Sequence, residues 1–397
     1  MEIIGVVGAG TMGAGIAQLA LEAGHEVVLH DVDEAAIARG IARIRDGLAR
    51  RAARLDLDPD SLDDWVDGRL GGLHESPTLD GVVAEADIVI EAALEDLELK
   101  RTIFRALGAG ASADAILATN TSAISVASIA AATTRPERVI GLHFFNPAPI
   151  MPLVEVVAPP GADAAVVERA AALVTAWSKT PVRCADSPGF IVNRVNRPFT
   201  LEGLAMLEAG EAGVSAIDSA IRDAGYPMGP FELMDLIGID VNLAAAHGVW
   251  AGLGRPDRLR PSAIQERLLA EDRLGRKTGR GFYRYEGSAG PPTEEAEFAV
   301  TGGLAATAIA DRITLAVVNE AWHALGDGVA TASDIDIALR LGAAHPIGPF
   351  ERTQEAGGPA AVIAALAALS QHGARFTPAP ALVDAAGDRQ DFGGWVG

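Results

Sequence analysis

The chain has 397 residues, 49% of them apolar and 21% charged, so it can bury a large core and more than one domain is expected. A net charge of −21 argues against a nucleic-acid partner, because an acidic surface repels a phosphate backbone. The single cysteine, Cys184, rules out a disulfide framework; with no basic leader and no 18-residue uncharged apolar run, a soluble cytoplasmic protein with no membrane partner is expected.

A buried-strand run over 3–7 leads straight into Gly8-Ala9-Gly10-Thr11-Met12-Gly13. A helical stretch over 14–23 and a second strand over 25–30, ending at Asp31, complete a βαβ unit. In such a unit Gly8 allows the tight turn, Gly10 lets backbone approach a pyrophosphate, and Gly13 lets helix and strand pack closely. Asp31 is placed to hydrogen-bond the adenosine ribose. Its charge would repel a 2′-phosphate and Val32-Asp33-Glu34 offers no arginine, so NAD is expected over NADP.

Residues 34–75 read as a helical insertion. Within it, 41–54 carries Arg43, Arg45, Arg50, Arg51 and Arg54 against one acid, Asp46. That is either a solvated arginine face or a landing site for a polyanionic ligand. Further strands are expected over 87–91, 115–118, 139–143, 153–157 and 181–184, mostly continuous apolar runs that suit a parallel sheet covered on both faces. Asn120-Thr121-Ser122 lies just past one of these strands, where open α/β sheets bind ligands. Ser122 could donate to a substrate oxygen there, or cap the helix expected over 125–131.

Residues 141–157, GLHFFNPAPIMPLVEVV, read as strand, proline-rich turn and strand. A hairpin-like return would bring His143 and Glu155 within reach. A carboxylate beside an imidazole fixes its tautomer and stabilises the imidazolium, which is the arrangement of a general base.

After Asp186-Ser187-Pro188-Gly189 the pattern turns helical. Residues 190–209 read as one long helix, with Asn193 near its start beside the junction of the two halves, where ligand sites form. A mid-helix asparagine can equally be a plain exposed polar residue. Tyr226-Pro-Met-Gly-Pro-Phe231 and His345-Pro-Ile-Gly-Pro-Phe350 are one motif used twice, and the helices before them, 190–209 and 304–325, match in placement. This is a module duplicated once. The expected fold is an α/β Rossmann-type N-terminal domain followed by an all-α C-terminal region of two similar helical modules. The expected boundaries are 1–185 with its insertion, 186–285, a linker over 286–302, and 303–397.

With VGAGTMGAGIA, EAALEDLELK, ATNTSAIS, GLHFFNPAPIMPLVEVV, DSPGFIVNR, YPMGPFELMDLIG and GRKTGRGFY in order over residues 1–285, the chain resembles the L-3-hydroxyacyl-CoA dehydrogenases. The resemblance implies NAD-dependent interconversion of an L-3-hydroxyacyl-CoA and its 3-ketoacyl-CoA, in fatty-acid or related acyl-CoA metabolism. It implies His143 as base, Glu155 as its partner, and Ser122 and Asn193 at the substrate oxygen. It places Glu95, Lys100 and Asn146 near the nicotinamide, beside Asn120 and the Gly8–Gly13 turn with Thr11 and Met12. The arginine helix would hold the CoA nucleotide through Arg50, Arg51 and Arg54. No metal is required. Relatives of this kind dimerise through the helical domain, so two modules in one chain could satisfy that contact internally, giving a monomer or a homodimer. Ala123, Pro152 and Gly47 depart from the common pattern, which bears on CoA contacts and chain length. A dehydrogenase of free hydroxy acids would not need the arginine helix. A non-catalytic relative would be expected to lose one of Ser122, His143, Glu155 or Asn193, and all four are present.

Overall fold

The computed structural model describes residues 2–55, 58, 61–285, 293–298, 300 and 303–387. Its two compact units are Met1–Phe190 and Ile191–Gly397.

The first unit is built on strands β1 (Ile3–Val7), β2 (Glu26–His30), β3 (Leu73–Glu75), β4 (Ile88–Glu91), β5 (Ile116–Thr119), β6 (Val139–Phe144), β7 (Leu153–Ala158) and β8 (Thr180–Ala185). They form one sheet in the order β3-β2-β1-β4-β5-β6-β7-β8. Every pairing is parallel except β6 with β7. The central strands read as apolar runs because helices cover both faces, and Ile4, Ile88, Ile90, Ile116, Ile140, Val154 and Val156 are fully buried. Pro181 is harmless in β8 because that strand is an edge and needs no donor on its outer side. The helices are α1 (Thr11–Glu22), α2 (Glu34–Ala52), α3 (Leu62–Leu70), α4 (Leu79–Glu85), α5 (Leu97–Gly110), α6 (Val126–Ala130) and α7 (Ala164–Ala176).

The region expected as a purely helical insertion holds α2 and α3 and closes with β3, a three-residue edge strand too short to show in the hydrophobic pattern. Asp33 starts α2 by accepting the Ala36 N–H. The helix crosses α1 closely because Gly40 and Gly47 carry no side chain. A Cβ at Gly40 would meet Ala9, and one at Gly47 would meet the mobile end of the Gln18 side chain. The helix ends at Ala52, short of the expected 54, so Arg54 sits in the following turn and is not stacked above Arg50 on one helix face.

The second unit contains α8 (Val192–Val195), α9 (Arg197–Glu208), α10 (Val214–Asp223), α11 (Pro230–Ile237), α12 (Ile239–Gly252), α13 (Ala263–Ala270), the short pair β9 (Tyr283–Arg284) and β10 (Thr293–Glu294), then α14 (Ala306–Gly326), α15 (Ala332–Gly342), α16 (Pro349–Glu355), α17 (Pro359–Ala368) and α18 (Pro380–Gly387). The single helix expected over 190–209 is two, broken at Asn196. Pro198 lies in the first turn of α9, and proline cannot continue a helix from the residues before it. Of the expected linker over 286–302, residues 286–292, 299, 301 and 302 lie outside the described residues. Within the rest, β10 pairs antiparallel with β9, and Glu295 accepts from Arg280 at 2.7 Å.

The repeated motif has one physical basis. Asp218 accepts the N–H groups of Phe231 and Glu232 at 3.0 and 3.1 Å, and Asp336 accepts those of Phe350 and Glu351 at 2.8 and 3.0 Å. Each aspartate caps a Gly-Pro-Phe helix, and the glycine before it is obligatory: a Cβ at Gly229 or Gly348 would run into the capping carboxylate. Burial pushes the Asp218 carboxyl up to about 7 and that of Asp336 up to about 6.

The two halves of this unit pack together through buried polar pairs. Glu202 on α9 receives Arg312 from α14 (Nε at 3.0 Å) and Arg375 (3.3 Å). At the repeat itself, the Tyr226 ring stands edge-on to that of His345 at 4.9 Å.

Candidate active site

The nucleotide end comes from the first βαβ unit. Gly8 has φ of +105°, and a Cβ there would lie 2.6 Å from the Ala92 carbonyl oxygen. A Cβ at Gly13 would strike the Gly8 carbonyl. At Gly10 it would meet nothing within 4 Å, so packing does not demand this glycine. The open space lies in front of the N-terminus of α1, whose N-cap is Gly10 itself. No side chain caps that helix end and no acid stands in its first turn, so its N–H groups, with Thr11 and Met12, are free for a pyrophosphate. Asp31 accepts the Ala9 N–H at 2.7 Å, locking the turn against the end of β2, and also accepts from Val32 at 2.7 Å. These residues fit a dinucleotide.

The carboxyl ends of β4, β5 and β6 and the amino end of β7 carry the other candidates of the first unit. In the β6–β7 pair His143 stands directly opposite Glu155. Residues opposite one another in an antiparallel pair share a face. His143 Nδ1 lies 2.6 Å from Glu155 Oε2, with the ring 5% exposed and the carboxylate fully buried. An ionised carboxylate can only accept, so on a neutral ring this contact would put the proton on Nδ1 and leave the Nε2 lone pair outward. The rings of Phe145 and Phe190, at 4.6 and 5.7 Å, hold the imidazole from the side.

Ser122 stands in an exposed turn after β5, built around Glu95. That carboxylate accepts from Thr121 Oγ1 at 2.6 Å and from the N–H groups of Ser122 and Ala123 at 2.9 and 3.0 Å. Burial pushes the Glu95 carboxyl up, but the Thr121 hydroxyl, the Lys100 charge and the two N–H groups outweigh it, and the net direction is down. The capping role open to Ser122 belongs to Ser125, which accepts the Ser128 N–H at the start of α6. Ser122 therefore has a free hydroxyl among the described residues. Asn120 Oδ1 accepts the Phe144 N–H at 2.9 Å, tying this turn to the strand that carries His143. Lys100 is 1% exposed and bonds Glu91 at 2.6 Å and Glu95 at 3.4 Å, so its charge is held against both carboxylates. Asn146 is exposed at the start of the β6–β7 loop. In the second unit Asn193 lies on α8, partly exposed.

A cleft of about 840 Å³ opens between α1, the end of α2 and the β6–β7 loop. Arg43, Arg50, Arg51, Arg54 and Lys179 line it against Glu22 and Asp46, so its balance is basic in an acidic protein. Neither His143 nor Ser122 lines it. Arg45 points elsewhere, to Asp67 at 3.1 Å.

Two residues escaped sequence reasoning. Lys179, 8% exposed, donates to the carbonyls of Pro149 and Met151 at 2.9 Å each and so pegs the β6–β7 loop. Burial, with the Arg51 charge adding to it, pulls its ammonium below the usual lysine range against the pull of Glu22. Asp186 caps α6 through Val126 and Ala127 at 3.0 and 2.8 Å and accepts from Ser125. Both contacts span long sequence distances and leave no local pattern. Among the described residues no cluster of His, Cys, Asp and Glu could hold a metal, and no helix is long and apolar enough to cross a membrane.

A dinucleotide turn, a buried His–carboxylate pair and a basic cleft on one sheet define a nucleotide-dependent oxidoreductase. Residues 3–187 match the family described as 3-hydroxyacyl-CoA dehydrogenase, NAD binding domain, and 189–285 with 309–393 match 3-hydroxyacyl-CoA dehydrogenase, C-terminal domain. The chain belongs to the 3-hydroxyacyl-CoA dehydrogenases, which are NAD-dependent oxidoreductases. It is similar to 3-hydroxyadipyl-CoA dehydrogenase of Escherichia coli (strain K12), with 45% identity over 71% of this chain and 59% of that one. It is 42% identical to the mitochondrial hydroxyacyl-coenzyme A dehydrogenase of Rattus norvegicus, over 71% of this chain and 90% of that one. A crystal structure of 3-hydroxybutyryl-CoA dehydrogenase from Escherichia coli K12 superposes with a TM-score of 0.86 at 35% identity, covering 97% of this chain and 99% of that chain.

Proposed function

We infer that the protein interconverts an L-3-hydroxyacyl-CoA and its 3-ketoacyl-CoA, with His143 as the general base and Glu155 as its support. The observation that carries this reading is the buried 2.6 Å bond between them, which leaves Nε2 as the acceptor. In the oxidising direction the substrate O–H proton passes to Nε2. The C3–H bond breaks, its electron pair leaves with the hydrogen as hydride, and the C–O bond becomes a carbonyl. NAD, when bound, supplies the hydride acceptor. Glu155 stabilises the imidazolium that forms. Ser122 and Asn193 hydrogen-bond the substrate oxygen and orient C3. Gly8, Gly10, Thr11, Met12, Gly13 and Asp31 hold the cofactor, with Asn120, Asn146 and Glu95 toward its nicotinamide end and Lys100 behind Glu95. Arg50, Arg51 and Arg54 hold the CoA phosphates, since local charge must reverse the repulsion of a protein with 21 net negative charges.

On this reading residues 1–185 are the NAD-binding domain, 186–285 and 303–397 are two versions of one helical module joined over 286–302, and only the first version carries active-site residues. The protein works in the cytoplasm in fatty-acid or related acyl-CoA metabolism, as a monomer or a homodimer. The test is NADH oxidation by the purified protein against 3-ketoacyl-CoAs of increasing length, including a dicarboxylic one. Turnover of at least one of them is expected. No turnover across the panel would refute the assignment.

A further inference from the structure

The helix that carries Asn193 is one turn long. A single turn fixes several dihedrals for little hydrogen bonding, so α8 cannot hold its own shape and must be held by its neighbours. The chain enters it through two left-handed residues, Gly189 (φ +79°) and Phe190 (φ +49°), the second an uncommon conformation for a side-chain-bearing residue. It leaves at the break beside Asn196. The polar groups that hold α8 come largely from the second helical module.

Arg194, next to Asn193, is fully buried. Its Nε donates to Glu320 Oε1 on α14 at 3.0 Å, and its Nη2 donates to Asp327, the residue that ends α14. Glu320 is 2% exposed and also accepts from Arg258 Nε at 2.7 Å, so one buried carboxylate serves two guanidinium groups. At the far end of α8 the Asn196 Oδ1 accepts from His345 Nε2 at 2.8 Å. Both contacts hold the turn just after Asn193, at Arg194 and at Asn196. The Asn193 side chain is itself only partly buried and has no hydrogen-bond partner among the described residues, so it is free for a ligand while its backbone is clamped.

We propose that the second helical module serves the reaction by fixing the direction of α8, with Glu320, Asp327 and His345 as positioning residues for Asn193. This rests on the reading of Asn193 as a donor to the substrate oxygen. The second module then has a task although it carries no reacting group: it supports the substrate-binding turn from within the same chain. The consequence is kinetic. A displacement of an orienting group by about 1 Å can cost as much as a hundredfold in rate.

The experiment is a double-mutant cycle on the full-length protein: wild type, Asn193→Ala, Glu320→Gln, and both together. Each is measured for kcat on acetoacetyl-CoA and for NADH affinity by fluorescence. Glutamine offers Arg194 and Arg258 an amide that is half donor, so one guanidinium must move. Glu320→Gln is expected to lower kcat about tenfold with NADH affinity unchanged, and to lower it less than about twofold when Asn193 is already alanine. Asn193→Ala alone should cost roughly a hundredfold, as for a lost donor to a reacting oxygen. If the Glu320→Gln loss is as large without Asn193 as with it, or if Glu320→Gln leaves kcat unchanged, the positioning role is overturned. If Asn193→Ala keeps wild-type kcat, the reading of Asn193 fails first, and the proposal with it. Should Glu320→Gln not fold by near-UV circular dichroism, the same cycle with Asp327→Asn decides. Its side chain is 56% exposed, its loss removes one bond, and a reduction of about threefold that vanishes without Asn193 is expected.

Discussion

His345 gives the fold a pH dependence whose sign and size can be worked out. The imidazole is 6% exposed and sits between Asn196, the Tyr226 hydroxyl at 3.4 Å and the ring of Phe199 at 6.0 Å. Burial, helped by the Arg352 charge, pulls it from the usual 6.5 down to about 3. The folded protein therefore keeps His345 neutral over a range in which the unfolded chain protonates it. The unfolded state binds the extra proton, so stability falls as pH drops below about 6.5 and keeps falling toward about 3. The loss approaches about 1.4 kcal/mol per pH unit only where the unfolded imidazole is fully protonated, and between pH 6.5 and 5 it totals about 1.6 kcal/mol. Substituting His345→Gln removes the titration while keeping a donor for Asn196 and an acceptor for Tyr226. Urea unfolding of the full-length protein, followed by circular dichroism at pH 6.5 and pH 5, should show wild type losing about 1.6 kcal/mol more than the variant. Equal losses would show that His345 takes up its proton in the folded state and that the buried contact is misread.

Three further outcomes follow from the nucleotide end and the cleft. Gly10→Val should leave the fold intact, since nothing lies within 4 Å of its Cβ, yet weaken NADH binding at least tenfold, whereas Gly13→Ala should lower thermal stability because its Cβ strikes Gly8; differential scanning fluorimetry and NADH titration separate the two. Asp31→Ser with Val32→Arg should move preference toward NADPH, and a wild type that already uses both cofactors equally would contradict the role of Asp31. Replacing Arg50 and Arg54 by alanine should raise KM for acetoacetyl-CoA about tenfold, ~1.4 kcal/mol, with little change in kcat or in activity on acetoacetyl-N-acetylcysteamine; equal losses on both substrates would leave the arginines a solvated face.

What could be read from the sequence follows what is local. The Gly8–Gly13 turn is legible because its glycine spacing, helix and second strand all fall within thirty residues of chain, with Gly8 and Gly13 demanded by backbone packing. The facing of His143 and Glu155 is legible because two apolar runs joined by a short proline-rich loop read as a paired return, and the register observed pairs them directly. The break at Asn196 was hidden because apolar periodicity continues through it, although Pro198 was the available signal. The capping role open to Ser122 fell to Ser125 because the start of α6 is held by Asp186, some sixty residues on. Lys179, Glu320 and His345 act only through distant partners, and no periodicity marks such contacts.

The most direct measurement is the turnover of His143→Gln. Glutamine fills a similar volume but cannot take the substrate proton. The account predicts a kcat roughly 10²–10⁴ below wild type, with the circular dichroism spectrum and NADH affinity unchanged. A variant that folds, binds NADH and keeps more than about a tenth of wild-type kcat would contradict the central claim that the imidazole held by Glu155 is the base.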